Sequence, residues 1–224
     1  MSYQSKLPFA KNSTPSSSGN GDQRRNRLKD IADTTLQVIE AGSVTFADIS
    51  YDLAAKVRFS NHNTRFYPPN DQLLSAWATR TPTRTPSSRL TSDVSILEIS
   101  TLDGARLLYD SLSSRSTSYG RIAVLNFASA TRPGGGFLSG AQAQEESIAR
   151  SSTLYPSLMT DTAQQFYQLH NRDRRQGYYY HAMIYTPSVV VFRNDAGTWV
   201  SPYEVDIITS AAVNAGDVRK KDGD

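Results

Sequence analysis

Two adjacent glutamates and a run of three glycines are the residues of this chain best placed to do chemistry. The glycines occupy positions 134–136, and after seven intervening residues come Gln144, Glu145 and Glu146. Two close carboxylates raise the pKa of one of them, which keeps that group protonated as a general acid near neutrality. The positive end of a helix dipole has the opposite effect, because it stabilises the ionised form and lowers the pKa of a carboxyl group. The sequence therefore leaves open which pKa is shifted, and a solvated helix start remains the alternative.

The glycine run lies where an α/β protein binds phosphate. It follows RIAVLNFA (121–128), a nearly continuous apolar run that predicts a strand buried on both faces. Ligands of open α/β sheets bind at the carboxyl ends of strands. Glycines there let backbone N–H groups approach an anion closely, because no Cβ is in the way. A phosphate-binding loop is the functional interpretation, and a flexible turn is the alternative.

The elements that must position these residues predict a layered α/β fold. Residues 189–194 and 205–212 resemble the strand at 121–128, and SILEIS (95–100) predicts a further strand. Ser100 and Asp103 resemble a capping box that opens the next helix. Its predicted buried stripe is Ala105, Leu108, Tyr109 and Leu112.

Three other helices are predicted: an amphipathic one from Arg24, ended by Gly42, one that begins near Gln142, and a polar one around 161–171. Strands that alternate with helices indicate layered α/β architecture.

The chain divides into three predicted parts. Residues 1–22 are rich in Ser, Asn and Gly and predict a disordered tail. Residues 23–94 predict a helical N-terminal extension with a loop rich in Pro, Thr and Arg. Within that loop, TRTPTRTP (79–86) is interpreted as a linker or surface loop, or as two proline-directed phosphorylation sites. Residues 95–224 are predicted to form the layered α/β domain that carries the glycine run and both glutamates.

Composition excludes several classes of protein. The 224 residues include no cysteine, which excludes a disulfide scaffold, a zinc ribbon, an iron–sulfur site and a thiol nucleophile. No apolar stretch is long enough to span a bilayer, and the N-terminus has no apolar signal region, so an intracellular protein is expected. The net charge of +3 suits a polyanionic partner but not a dedicated nucleic-acid surface. The histidines at 62, 170 and 181 lie too far apart to suggest a metal site.

The block from Asn126 to Tyr155, NFASATRPGGGFLSGAQAQEESIARSSTLY, resembles the signature of microbial-type poly(ADP-ribose) glycohydrolases. The shared features are three glycines, seven residues and then Gln-Glu-Glu. The likeness continues through 182–197 and 205–216 and includes the helix RLKDIADTTLQVIEAG. The resemblance implies a macrodomain-like three-layer α/β/α sandwich with a mixed sheet, preceded by a helical N-terminal extension.

The resemblance also implies a reaction, the hydrolysis of ribose–ribose O-glycosidic bonds with release of ADP-ribose. Glu146 would protonate the departing ribose oxygen and then activate water, while Glu145 would bind a ribose hydroxyl. Gln144 would support the loop, and Asn126 would hold the distal ribose. The diphosphate loop would comprise Gly134, Gly135, Gly136 and Phe137. No metal or cofactor is implied, and the partner would be poly(ADP-ribose) or an ADP-ribosylated protein, in the cytoplasm or the nucleus.

The C-terminus departs from the family pattern. Microbial-type members continue past a VNAG-like segment to a second glycine-rich loop, whereas this chain ends in DVRKKDGD. Ala212-Val213 also replaces the usual Ala-Pro before Asn214. A truncated C-terminus is therefore expected, with an ADP-ribose-binding module or an inactive fragment as the alternative to an enzyme. A nucleotide hydrolase of another kind is a third interpretation, although the glycine run lacks the Gly-Lys-Ser/Thr ending of a P-loop.

Overall fold

The computed structural model describes residues 18–75, 93–114, 121–173 and 175–222. The helices are α1 Ser18–Ala41, α2 Leu53–Asn63, α3 Gln72–Ser75, α4 Thr101–Ser113, α5 Gln144–Ser151, α6 Leu154–Leu158, α7 Asp161–Arg172 and α8 Ala215–Asp222. The strands are β1 Ser43–Phe46, β2 Ile49–Asp52, β3 Arg65–Tyr67, β4 Ala123–Ala128, β5 Met183–Arg193 and β6 Trp199–Ala211. Short 3₁₀ helices span Phe137–Ser139 and Arg175–Gly177.

The main sheet is mixed, as the sequence predicts. In the described part of the chain its strand order is β3-β5-β6-β4, and β1 pairs only with β2. Strand β4 runs parallel to β6, while β5 is antiparallel to both of its neighbours. The three strands predicted at 121–128, 189–194 and 205–212 correspond to β4, β5 and β6, which belong to one sheet.

Helices cover both faces of the sheet at β5. Val189 and Val191 pack into the largest hydrophobic cluster, to which α4, α5, α6 and α7 contribute. Val190 and Phe192 point to the opposite face. There they pack against a second cluster from α1, α2 and the β1–β2 hairpin. The three-layer arrangement is thus present around the central strand.

Strand β4 is not buried on both faces, so that prediction is wrong. Its residues alternate between exposed and buried, and Leu125 and Phe127 are 45% and 57% exposed. The reason is its position: within the described residues β4 is an edge strand, and the layer that covers the far face of β5 does not cover Leu125 and Phe127. An apolar run alone does not distinguish a central strand from an edge strand with one open face.

The segment before α4 also differs from the prediction. Residues 95–100 are not a strand, and their hydrophobic side chains, such as Ile96, are exposed. Half of the predicted capping box is confirmed: the Ser100 hydroxyl accepts a hydrogen bond from the Asp103 N–H at 3.0 Å, but the Asp103 side chain makes no bond to the Ser100 N–H. Of the predicted buried stripe, Ala105 is buried but Leu108 is exposed.

Helix α1 begins at Ser18 and ends at Ala41, where Gly42 takes a φ of 75° as the predicted glycine stop. The predicted disordered tail is therefore wrong for residues 18–22, and residues 1–17 lie outside the described part. Within the range predicted as a helical extension, β3 is a strand of the main sheet. The TRTPTRTP segment lies outside the described residues.

The later helices fall close to their predictions. Helix α7 spans Asp161–Arg172, and α5 begins at Gln144 rather than at Gln142. No helix within the described ranges combines the length and the apolar character that crossing a membrane requires.

Candidate active site

The loop from β4 to α5 folds back tightly on itself. Gly134, Gly135 and Gly140 have φ values of 68°, 60° and 76°, which glycine adopts without strain. A Cβ on Gly135 would collide with Glu146 Oε1 and would lie 3.0 Å from Glu145 Oε2. The central glycine therefore allows the backbone to pack directly against both carboxylates.

The Glu146 carboxylate joins this loop to α5. Its Oε1 accepts a hydrogen bond from the Gly136 N–H at 2.8 Å, and its Oε2 accepts one from the Ala143 N–H at 2.9 Å. The second bond is one half of a capping box. The other half is absent, because the Ala143 side chain has no oxygen to accept a bond from the Glu146 N–H. Both carboxylate oxygens are thus held by the main chain.

Glu145 has a different environment. Its Oε2 accepts a hydrogen bond from the Ser129 N–H at 2.7 Å, and its side chain is almost fully buried. Burial, with a further contribution from the charge of Glu146, raises the pKa of Glu145 to about 7, although the Ser129 N–H opposes the shift. The sequence left open which glutamate has a raised pKa, and the structure assigns the shift to Glu145.

Asn126 lies in the interior beside this carboxylate. Its Nδ2 donates to Thr209 Oγ1 at 3.2 Å, and its residue is fully buried. Among the described residues, neither Asn126 Oδ1 nor Glu145 Oε1 has a hydrogen-bond partner. Because buried oxygens normally accept a hydrogen bond, these two can still accept one from a protonated carboxyl or from a ligand hydroxyl.

Gln144 binds the edge of β4. Its Oε1 accepts from the Phe127 N–H at 2.8 Å, and its Nε2 donates to the Leu125 carbonyl at 2.6 Å. The side-chain amide thereby takes the place of a neighbouring strand. The expectation that Gln144 supports the loop fits these contacts, while its place among substrate-binding residues stays a prediction.

Phe137 is buried inside the loop. The residue is 1% exposed, and its ring packs against Tyr155 with centroids 4.8 Å apart. Several N–H groups of the loop already donate within it, such as Gly135 to the Arg132 carbonyl at 3.0 Å and Phe137 to the Gly134 carbonyl at 3.2 Å. The binding of a diphosphate by Gly134, Gly135, Gly136 and Phe137 stays a prediction.

Two neighbouring cavities open on the carboxylates. One, of about 410 Å³, is lined by Arg132, Gly135, Glu146 and Asn171, among others. The other, of about 320 Å³, includes both Glu145 and Glu146 in its lining. Glu146 therefore faces both cavities and Glu145 faces one.

Several supporting residues are not apparent from the sequence. Arg150 is buried and donates to the Ala141 carbonyl at 2.6 Å, while its own carbonyl accepts from Thr35 Oγ1 at 2.6 Å. Asp195 accepts hydrogen bonds from Ser147 and Ser100, which links α5 to α4. These residues come from distant segments, and no local pattern identifies them. Within the ranges that the structure describes, no three acidic or histidine side chains gather as metal ligands would.

Comparisons with known proteins agree with this geometry. The family model for the microbial-type PARG catalytic domain matches residues 32–194. A crystal structure of poly(ADP-ribose) glycohydrolase from Thermomonospora curvata is 37% identical, with a TM-score of 0.74, and the match covers 89% of this chain and 68% of that one. A second structure from that organism, bound to the inhibitor ADP-HPD, is 38% identical, with a TM-score of 0.71, and the match covers 89% of this chain and 66% of that one.

The enzyme from Deinococcus radiodurans in complex with ADP-ribose is 34% identical, with a TM-score of 0.59 and coverage of 73% of this chain and 60% of that one. The chain thus spans about two thirds of the length of its Thermomonospora relatives and less of the Deinococcus one. A comparison with curated proteins found no match.

The mixed macrodomain-like sheet and these matches assign the chain to a class of hydrolases that act on glycosidic bonds. The match over residues 32–194 narrows that class. The chain belongs to the microbial-type poly(ADP-ribose) glycohydrolase family.

Proposed function

We propose that this chain hydrolyses the ribose–ribose O-glycosidic bonds of poly(ADP-ribose) and releases ADP-ribose. The observation that carries the proposal is the carboxylate pair: Glu146 is held by two backbone N–H groups at the meeting point of two cavities, and Glu145 lies beside it with a pKa raised to about 7. Poly(ADP-ribose) or an ADP-ribosylated protein is the substrate, in the cytoplasm or the nucleus.

Glu146 acts on the bond that breaks. It protonates the departing ribose oxygen as the bond from that oxygen to C1″ breaks, and then takes a proton from the water that adds to C1″. Its contact with both cavities supports this role, because the two sugars of a scissile bond lie on either side of the reacting oxygen.

Glu145 orients the sugar, while Glu146 carries the proton that the departing oxygen takes. A carboxyl whose pKa is about 7 is protonated in about half of the molecules at neutral pH. Glu145 Oε1 and Asn126 Oδ1 are buried without a hydrogen-bond partner among the described residues, and in this proposal ribose hydroxyl groups donate to them. Asn126 then holds the distal ribose, and the backbone from Gly134 to Phe137 lies along the diphosphate.

The test is release of ADP-ribose from a poly(ADP-ribosylated) protein, with wild type compared with Glu146→Gln. General acid–base catalysis contributes about 10² to 10⁴ in rate, and we expect a loss at the upper end because Glu146 acts in both steps. Glu40→Gln, an exposed position on α1, is the matched control and should release ADP-ribose at the wild-type rate.

The release assay distinguishes three cases. Equal rates for wild type and Glu146→Gln would contradict the assigned role. Binding of ADP-ribose by wild type without any release would favour an ADP-ribose-binding module instead. Melting temperatures accompany the rates, because glutamine can accept from only one of the two N–H groups that Glu146 holds.

A further inference from the structure

Tyr179 lies in the connection between α7 and β5, outside the glycine loop. Its side chain lines the 320 Å³ cavity together with Glu145 and Glu146. The side chain is partly exposed, and Phe127 is the other aromatic residue of that lining. Nothing in the Gln-Glu-Glu motif or in the glycine run points to this residue.

The backbone of Tyr179 is strained. Its φ is 59°, in the left-handed region that glycine adopts freely and that a bulky residue with a Cβ rarely enters. Such strain persists only where the surroundings impose it, and it concentrates at functional sites. A glycine here would relieve the strain, so packing alone does not account for a tyrosine.

The surroundings of Tyr179 fix its position. Its ring meets the buried His170 ring edge-on, with centroids 5.5 Å apart and an interplanar angle of 83°. His170 is itself anchored, with Nδ1 2.9 Å from the Phe166 carbonyl. On the other side, the Asn214 N–H donates to the Gly177 carbonyl at 2.9 Å. The ring therefore packs against His170 beside the cavity.

We propose that Tyr179 contacts the substrate, with its ring packed against the apolar C–H face of the ribose that Glu145 and Glu146 engage. This inference rests on the proposed function. The polar groups of the cavity, among them Ser129, Thr131 and Asn214, bind hydroxyl groups but offer little to the C–H face of a pentose. An aromatic ring that already packs against His170 supplies that surface with little further loss of side-chain freedom on binding.

The experiment compares binding with stability in one variant. Tyr179→Gly relieves the backbone strain but also removes the contact with His170, so we expect a melting temperature close to that of wild type. Calorimetry with ADP-ribose should show affinity reduced on the order of tenfold, the scale of one aromatic contact. Tyr179→Phe keeps the ring and should bind ADP-ribose within about twofold of wild type.

Tyr178→Ala is the matched control, since Tyr178 is adjacent, 60% exposed and free of positive φ. It should leave both measurements unchanged. Wild-type affinity in Tyr179→Gly would overturn the inference and leave the proposed function intact. A fall of both melting temperature and affinity would also overturn it, because the ring would then be structural. Failure of wild type to bind ADP-ribose would overturn the proposed function itself.

Discussion

Glu145 and Glu146 are neighbours in sequence whose carboxylates have different partners. Glu146 accepts two backbone N–H groups, whereas Glu145 accepts one and keeps an unpartnered buried oxygen. The two groups are chemically identical, so their different partners come from the surrounding structure alone.

The raised pKa of Glu145 predicts how stability varies with pH. Below its unfolded value of 4.5, folded and unfolded chains are both protonated and the contribution of Glu145 is fully present. As the pH rises from 4.5 through about 7, the unfolded chain releases its proton while the folded chain retains it, so this contribution is lost. We expect Glu145 to cost the folded state on the order of 3 kcal/mol at pH 8 relative to pH 4.

Urea denaturation at several pH values measures the pH-dependent contribution of Glu145 to the unfolding free energy. Glu145→Gln is the reference, because glutamine does not titrate. The free energy of unfolding of wild type minus that of the variant should fall across this window. A difference that stays flat from pH 4 to pH 8 would show that the pKa of Glu145 is not raised.

Gly135 predicts a second effect at the residue scale. Gly135→Ala places a Cβ against Glu146 Oε1 and requires a non-glycine residue at a φ of 60°. We expect a loss of about 1–3 kcal/mol in unfolding free energy, together with slower release of ADP-ribose as Glu146 is displaced. Thermal denaturation and the release assay check this.

Gly21→Ala is its control, since a Cβ there meets nothing within 4 Å. Alanine favours helix, so the control should be neutral or slightly stabilising. A Gly135→Ala variant with wild-type stability and activity would contradict the close packing of loop and carboxylates.

At the scale of elements, Gln144 protects the edge of β4. Free strand edges promote association with other chains, and Gln144 satisfies the outward Phe127 N–H and Leu125 carbonyl. Leu125 and Phe127 also expose apolar side chains beside that edge. Gln144→Ala should therefore self-associate at lower concentration than wild type.

Sedimentation velocity over a concentration series measures this effect. Gln142→Ala changes an exposed glutamine two residues away and is the control. Identical sedimentation of Gln144→Ala and wild type would mean that the edge is protected by other means.

Helix α1 braces the catalytic elements. Thr35 Oγ1 donates to the Arg150 carbonyl of α5 at 2.6 Å, and Arg193 donates to Thr34 Oγ1 at 2.9 Å. The loop also meets α1, because a Cβ on Gly140 would collide with the Arg25 backbone. These contacts fix α5, and with it both glutamates, against the N-terminal helix.

Thr35→Val tests the brace. Valine keeps the shape and loses the buried hydrogen bond, so we expect a loss of about 1–2 kcal/mol in unfolding free energy. The equivalent change at the exposed Thr45, Thr45→Val, should be close to neutral. Equal stability of the two variants would argue against a bracing role for α1.

At the scale of the whole molecule, the regions on either side of position 94 share one core. Strand β3 pairs with β5, and the buried Ser60 hydroxyl donates to the Pro187 carbonyl at 2.7 Å. Leu53 packs into the same cluster as Val190 and Phe192. The boundary between residues 94 and 95 stays a prediction about organisation, but many contacts cross it.

A fragment of residues 95–224 should consequently be less stable than the full chain. Without the first region, Val190, Phe192 and one edge of β5 are exposed to solvent. Circular dichroism during thermal denaturation should show a broad transition or none, against a cooperative transition for residues 1–224. A fragment that melts as cooperatively as the full chain would show that residues 95–224 form an independent unit.

The sequence predicts the centres of the main strands because these are apolar runs, but not where the strands begin. Strands β5 and β6 start at residues 183 and 199, six residues before the predicted 189 and 205. Residues 189–193 and 205–207 are buried as expected, and Ser100 and Gly42 mark helix ends as expected. The errors at 95–100 and at β4 share one physical cause. Apolar composition reports a tendency to be buried, whereas actual burial depends on which element lies opposite.

The candidate site also has features that the sequence predicts and features that it does not predict. The spacing from the glycines to Gln-Glu-Glu brings Gly135 against both carboxylates, as a local motif can specify. The pKa of Glu145 depends on its burial and on the Ser129 N–H. The wall of the cavity includes Tyr179. These contributions come from segments that no local pattern connects.

The two backbone bonds of Glu146 also bear on how such a protein changes over evolutionary time. Because Glu146 secures the loop and the first turn of α5, its loss would weaken the fold as well as the chemistry. Purifying selection would then retain it in a lineage that only binds ADP-ribose and no longer cleaves it. An intact Gln-Glu-Glu motif in a homologue is therefore weaker evidence of catalytic activity than the retention of a residue that is needed for catalysis alone.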